Sequence, residues 1–517
     1  MGKESKTRQN AASEKSSGKT ARKILIALLV IAFAGVGIFG LLAESGLLMG
    51  SITAFEVGGQ KVSARDYKIF YKTAEMNLIN NYGTTLQMYY GVDLTKPLET
   101  QAYGDGTWGD YLHTSAQSAV AQTYILYQEA LDNGYELAGE DDPAYKGQMA
   151  VYRATAELYD MSLEDYVKTV YGSGVKPADL ENAAKVAATA RNYYNDYIAG
   201  LNVGDSDITD YYENDKLAFD SVDYRSFTFP YETVKYTEPA EGEEVKDGEP
   251  ASQEEADRMT QDNIDAAQAK ADEFLSRITD EQSFIELARE YASADDAEKY
   301  GDDDATLTSG TSLSTASNSK ILTWCAEDGR TEGDTTTSDS GSGIVVLYFL
   351  NRYLPEEQTV TVRHILIRAA EPSDTATDEE KAAAQEKLDA AKSQIEEIYA
   401  QWKAGDMNED SFAELAYEYS QDSGSVANGG LIENFSEGDM VAEFDEWAFD
   451  SSRRAGDTGI VKTTYGYHLI YFVENGAYKW QATAKSDIEN DKFDTYYSEL
   501  SAKYPTKTHN YGLTLAY

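Results

Sequence analysis

Two stretches of this 517-residue chain repeat one another. W-C-A-E-D-G-R-T-E-G-D-T begins at Trp324, and W-A-F-D-S-S-R-R-A-G-D-T begins at Trp447. Gly343 with Tyr348-Phe349 recurs as Gly466 with Tyr471-Phe472, at the same offset of 123 residues. Upstream, Ser283-Phe284-x-Glu286-Leu287-Ala288-x-Glu290-Tyr291 recurs as Ser411-Phe412-x-Glu414-Leu415-Ala416-x-Glu418-Tyr419, offset by 128. Further upstream, V-D-Y-R-S-F-T-F at 222–229 lines up with V-T-V-R-H-I-L-I at 360–367. Matches in one order at a near-constant offset are the mark of an internal duplication. Residues 220–355 and 357–475 are therefore expected to be two copies of one α/β unit.

The second copy gives the clearer pattern. Residues 359–367 are rich in β-formers and predict a strand. Thr377-x-x-Glu380 is a capping-box pattern. The helix after it carries Leu388, Ile395, Ile398 and Trp402 and stops near Gly405. Phe412, Leu415, Ala416 and Tyr419 stripe a second helix. Gly429-Gly430 lead into an extended run to Phe435. Met440, Phe444, Trp447 and Ala448 stripe a third helix. Residues 459–463 and 467–473 then predict two strands joined by a tight turn. The order is strand, two helices, strand, helix, strand, strand.

The chain has four histidines and one cysteine. His364 and His468 fall in the first and last strands of this copy, which an antiparallel sheet can bring side by side. On residue type alone they read as two satisfied core histidines, or as metal ligands if a residue such as Asp422 joins them. Cys325 can form neither an internal disulfide nor a cysteine-rich zinc site, and reads as a small buried apolar residue. His113 and His509 read as structural. A net charge of −46 and a pI near 4.3 argue against nucleic acid as the main partner.

The charge is uneven. Residues 1–23 hold seven basic and two acidic residues, a net of +5, which leaves −51 for the remainder. Residues 24–43 form one uncharged apolar run, long enough at about 1.5 Å per residue to cross a bilayer. The basic flank predicts a cytoplasmic N-terminus; the length of the run and the lack of an A-x-A site after it favour an uncleaved single-span anchor over a cleaved signal peptide, and either leaves the bulk extracytoplasmic. No cysteine follows the run, so lipoprotein anchoring is excluded.

Between anchor and repeat, residues 52–62 predict a hairpin about Gly58-Gly59. Ser63 is placed to cap the helix carrying Tyr67, Phe70, Tyr71 and Ala74. Helices are predicted over 110–133 and in the stretch 145–200. This region is rich in tyrosine, which suits half-buried packing or the holding of unfolded segments. Residues 479–503, with Trp480, Ile488, Tyr496 and Leu500, predict a closing helix.

R-H-I-L-I at 363–367, S-Q-D-S-G-S-V-A-N-G-G-L at 420–431, F-S-E-G-D-M-V-A-E-F at 435–444 and T-T-Y-G-Y-H-L-I at 463–470 resemble the parvulin peptidyl-prolyl isomerases. The resemblance implies that His364, Asp422 and His468 are catalytic. It implies that Leu431, Met440 and Phe444 form the apolar pocket for a proline ring, and that Thr463 binds beside the second histidine. It implies no metal and no cofactor. Two departures stand out: an extra residue before Phe435, and a bulky Tyr465. In the first copy, the counterparts of His364, His468 and Asp422 are Ser226, Val345 and Ala294. That copy is therefore expected to be a degenerate relative.

V-G-G-Q-K-V-S-A-R-D-Y at 57–67 and G-D-S-D-I-T-D-Y-Y-E-N-D-K at 204–216 resemble the N-terminal chaperone region of SurA-type and PrsA-type foldases, while the membrane span is similar to that of PpiD-type ones. The fold class expected is α+β. Its parts are a basic tail (1–23), a transmembrane helix (24–43), a helical chaperone-like region (52–215), a degenerate unit (220–355) and a parvulin unit with a four-stranded antiparallel sheet (357–475). Residues 476–517 are expected to close back on the helical region. The function implied is an extracytoplasmic foldase isomerising X–Pro bonds in unfolded secreted polypeptides. The alternative is a non-catalytic holdase or adaptor. A homodimer is compatible with the sequence.

Overall fold

The computed structural model describes residues 48–172, 174–238, 248–373 and 375–515. The basic tail and the expected span 24–43 lie outside these residues. Among the described residues no helix is long and apolar enough to cross a membrane. The described residues divide into two compact units: those within 48–202, 359–476 and 489–515 form one, and those within 203–358 and 477–488 form the other.

The first strands among the described residues form a hairpin, β1 (Thr53–Val57) and β2 (Gln60–Ser63), which turns at Gly58-Gly59. Ser63 caps α1 (Ala64–Tyr90) by accepting the Asp66 amide at 3.2 Å. Helices α2 (Trp108–Asp132), α3 (Pro143–Leu158), α4 (Leu163–Tyr171) and α5 (Pro177–Gly200) follow. Tyr67, Tyr71, Leu112, Val120 and Leu126 build their core. His113 is half-buried beside it, with its Nδ1 3.0 Å from the Tyr67 hydroxyl.

The second unit starts with α6 (Asp205–Asn214) and contains the first copy of the repeat. Its elements are β3 (Ser221–Pro230), α7 (Gln253–Arg277), α8 (Glu281–Tyr291), β4 (Leu307–Ser312), α9 (Lys320–Cys325), β5 (Thr335–Asp339) and β6 (Gly343–Tyr353). The second copy runs β7 (Gln358–Arg368), α10 (Asp378–Ala404), α11 (Glu409–Tyr419), β8 (Leu431–Ser436), α12 (Ala442–Ala448), β9 (Thr458–Thr463) and β10 (Gly466–Tyr478). The strand orders, β4-β3-β6-β5 and β8-β7-β10-β9, are the same.

The duplication extends to register. Leu307 faces Arg225 and Thr311 faces Val222 in the first sheet; Leu431 faces Arg363 and Phe435 faces Val360 in the second. Both edge strands slip register between those pairs. The residue added before Phe435 is thus absorbed as a bulge, with a positive φ at Asn434 in one copy and at Gly310 in the other. Arg225 pairs with Glu281 at 2.7 Å, and Arg363 with Glu409 at 2.8 Å. The Arg330 guanidinium lies over Trp324 and that of Arg453 over Trp447, at 3.9 and 4.1 Å from the ring centres. Cys325 is fully buried in the first copy's apolar core. One local expectation needs correction: Met440 precedes α12 instead of lying within it.

Helix α13 (Lys479–Lys503) closes the chain, covering the span predicted for it. Ala484 and Ile488 pack with Ile208 in the second unit. Phe493 and Leu500, with Tyr504 after them, join the core built by α1 and α2 in the first. Buried Glu129 accepts from Lys503 Nζ at 2.5 Å and from the Tyr504 hydroxyl at 2.7 Å. A three-residue strand, β11 (Thr506–Thr508), then pairs antiparallel with β1. The end of the chain is thus part of the first core. Leu500→Ala is expected to lower stability by about 2–4 kcal/mol through cavity formation, read by denaturant unfolding of the protein. An unchanged midpoint would show that the closing helix is not part of that core.

Candidate active site

The central strands β7 and β10 lie side by side, and this adjacency brings the two histidines together. His364 Nδ1 and His468 Nδ1 are 3.1 Å apart, with the rings nearly parallel at 15°. Both side chains are buried. His364 Nε2 lies 2.9 Å from Asp422 Oδ2 and 2.8 Å from Ser425 Oγ. The Ser425 hydroxyl donates to the same carboxylate at 2.6 Å. At the other end, His468 Nε2 lies 2.9 Å from Thr463 Oγ1, which also accepts the Tyr465 amide at 3.1 Å. All four imidazole nitrogens of the pair are engaged by protein groups.

Donor and acceptor bookkeeping orders this chain. An ionised Asp422 only accepts, so His364 carries its proton on Nε2. His364 Nδ1 and His468 Nδ1 then share one hydrogen, and Thr463 Oγ1 and His468 Nε2 share another. Each hydrogen between Thr463 and Asp422 then has a partner.

The loop Ser420–Gly430 holds the carboxylate end. Its start is fixed by the Gln421 amide donating to the Leu366 carbonyl at 2.8 Å. Its end is fixed by the His364 amide donating to the Gly430 carbonyl at 2.8 Å. Gly430 has φ +74°, and a Cβ there would overlap the His364 carbonyl. Only glycine lets the loop close this tightly on the strand.

A cavity of about 640 Å³ opens over the pair. Leu431, Met440 and Phe444 form apolar wall, and Asp422, His364 and His468 form polar wall. The Phe444 ring stands edge-on to both imidazoles, 5.6 and 5.4 Å from their centres. Tyr465 lines the rim and is 56% exposed. The structure thus brings six of the seven residues singled out from sequence to one cavity. The seventh, Thr463, lies beneath it, only 3% exposed, and meets the cavity through His468. Sequence analysis missed Ser425. The D-x-x-S spacing from Asp422 was its signal, because a hydroxyl three residues after an aspartate suits a tight side-chain turn. The first copy has Ala297 at that position.

Burial disfavours the charged form of both ends of the network, with different outcomes. Burial and the neighbouring His364 lower the His468 pKa to about 3. Burial works to raise Asp422, but hydrogen bonds from His364 and Ser425 and the attraction of the imidazole outweigh it. They hold the carboxyl well below the usual carboxylate range. The site therefore pairs a fixed anion with a neutral imidazole at neutral pH.

These features define a class. Residues 364–474 match the rotamase family described as the PPIC-type PPIase domain, so this part of the chain is a parvulin-type domain. Parts of the chain are also similar to a foldase and to a chaperone. The chain is 34% identical to foldase protein PrsA 1 of Listeria innocua over 137 residues, which cover 26% of this chain and 38% of that one. It is 28% identical to chaperone SurA of Burkholderia lata over 236 residues, 44% of this chain and 47% of the relative. The matches thus span less than half the length of these curated relatives. The solved structure of PrsA from Bacillus subtilis aligns with 79% of this chain and 92% of its own, at 14% identity and a TM-score of 0.26.

Native His468 takes up a proton only near pH 3, whereas the unfolded chain does so near 6.5. Between these values the unfolded state binds more protons, so native stability falls as pH drops through that window. NMR of ring-labelled histidine is expected to show His468 still neutral at pH 5. A titration midpoint near 6 would contradict the network as drawn.

Proposed function

We propose that this protein is an extracytoplasmic foldase whose second repeat catalyses cis–trans isomerisation of X–Pro bonds in unfolded exported polypeptides. The observation that carries this reading is the buried His364–His468 pair, wired to Asp422, facing a cavity whose opposite wall is the apolar Leu431, Met440 and Phe444. The reaction breaks no σ bond. Its barrier of about 20 kcal/mol is the loss of amide resonance, so neither nucleophile nor cofactor is required. Leu431, Met440 and Phe444 grip the ring and fix the axis of rotation. His364, His468 and Asp422 present a preorganised polar wall to the twisted amide, in which the nitrogen lone pair and the carbonyl separate. Interactions made better with the twisted form than with the planar one lower the barrier. Thr463 and Ser425 position the two imidazoles.

The first repeat is a degenerate copy in this reading. It keeps the sheet register, the arginine–glutamate pair and the arginine on tryptophan, but carries Ser226, Ala294 and Val345 in place of the polar triad. It serves as a spacer or a peptide-binding surface. Residues 24–43 anchor the chain in the membrane, and the strongly acidic remainder keeps it soluble outside the cytoplasm.

A holdase role is the second reading, favoured by the aromatic surface of the helical region. Met88 and Tyr89 are 73% and 80% exposed, beside Tyr90, Tyr103 and Tyr111. Such rings offer apolar area with a polar tip to unfolded chains. Exchange NMR on a proline peptide distinguishes the two. The ectodomain is expected to accelerate exchange. Asp422→Ala is expected to reduce kcat/KM by about tenfold to a hundredfold, as loss of an electrostatic group in a preorganised site does. Phe444→Ala is expected to act mainly on KM. Suppression of aggregation with no acceleration of exchange would favour the holdase.

A further inference from the structure

Helix α3 of the helical region packs against the outer side of the loop that carries Asp422 and Ser425. Val426, one residue beyond Ser425, is fully buried, and it clusters with Ala150, Ala154 and the half-buried Val151 of α3. Polar contacts surround this seam. Lys146 Nζ reaches both oxygens of Glu414 at 2.9 and 2.8 Å, and Arg153 Nη2 donates to the Tyr417 carbonyl at 2.8 Å. Gln421 Nε2 donates to Glu157 Oε2 at 3.1 Å. The closest approach is at Gly147: a Cβ there would overlap the backbone of Ala427, its carbonyl oxygen above all. A glycine inside a helix costs about 1 kcal/mol relative to alanine. The contact with the loop accounts for its presence in α3.

The loop also sets the geometry of His364, whose Nε2 meets both Asp422 and Ser425. We propose that α3 is a positioning element of the isomerase site: its Gly147 face against the loop, and Lys146 on Glu414 of the helix leading into it, hold the loop where both residues reach His364. This rests on the isomerase reading above. The proline pocket walls at Met440 and Phe444 belong to other elements, so displacement of α3 should affect turnover more than binding.

The test uses the full ectodomain. Gly147→Ala raises the helix propensity of α3 yet forces α3 and the loop apart. Its expected result is a fall of about tenfold in kcat on a short X–Pro peptide, as a small misplacement of catalytic groups produces, with KM and helix content retained. The His364 Nε2–H proton resonance should shift. Lys146→Glu places like charges together at Glu414 and should act in the same direction, with recovery in the Lys146→Glu/Glu414→Lys double variant. Wild-type kcat and an unmoved His364 resonance in Gly147→Ala would overturn the proposal. If the wild-type protein does not accelerate exchange at all, the isomerase reading falls, and the His364 resonance alone still decides whether α3 positions the loop.

Discussion

The site depends on one contact, the 3.1 Å approach of two imidazole Nδ1 atoms across the central strands of a four-stranded sheet. Two buried rings this close cannot both carry a proton on those atoms without repulsion. One must donate and the other accept, which sets the hydrogen positions outward to Asp422 and Thr463. Asp422 in turn needs Ser425, and the loop holding both closes only because Gly430 admits the His364 carbonyl. Each layer outward constrains the one within, as buried polar networks require when left dry.

The two repeats separate what folds a unit from what gives it chemistry. Both keep the strand order, the slipped edge register, the arginine–glutamate pair and the arginine stacked on tryptophan. Those features hold helices on a twisted sheet and are indifferent to what lies in the cavity. Ser226, Ala294, Ala297 and Val345 remove the polar network without adding a buried charge, so the first unit remains well packed without it.

Much of this was legible in the sequence because it is local or repeated. The capping box at Thr377, the stripe from Leu388 to Trp402, the hairpin at Gly58-Gly59 and the span of α13 all follow from short-range pattern. The histidine pair was legible because strand order places the first and last strands of the unit together. The remainder depends on long-range contact. The three residues of β11 have meaning only against β1, some 450 positions earlier. Ser425 matters because of a ring 61 residues away, and Gly147 because of a loop 280 residues away. Met440 reads as helical from spacing, yet it lies before α12 as part of the cavity wall.

The central claim is that one of two similar units carries the chemistry, through its histidine pair. Measuring cis–trans exchange of an X–Pro peptide with the protein carrying both His364→Ala and His468→Ala tests it most directly. The account predicts exchange at the uncatalysed rate, with the first repeat still folded. Acceleration equal to that of the wild-type protein would contradict it and place the activity elsewhere in the chain.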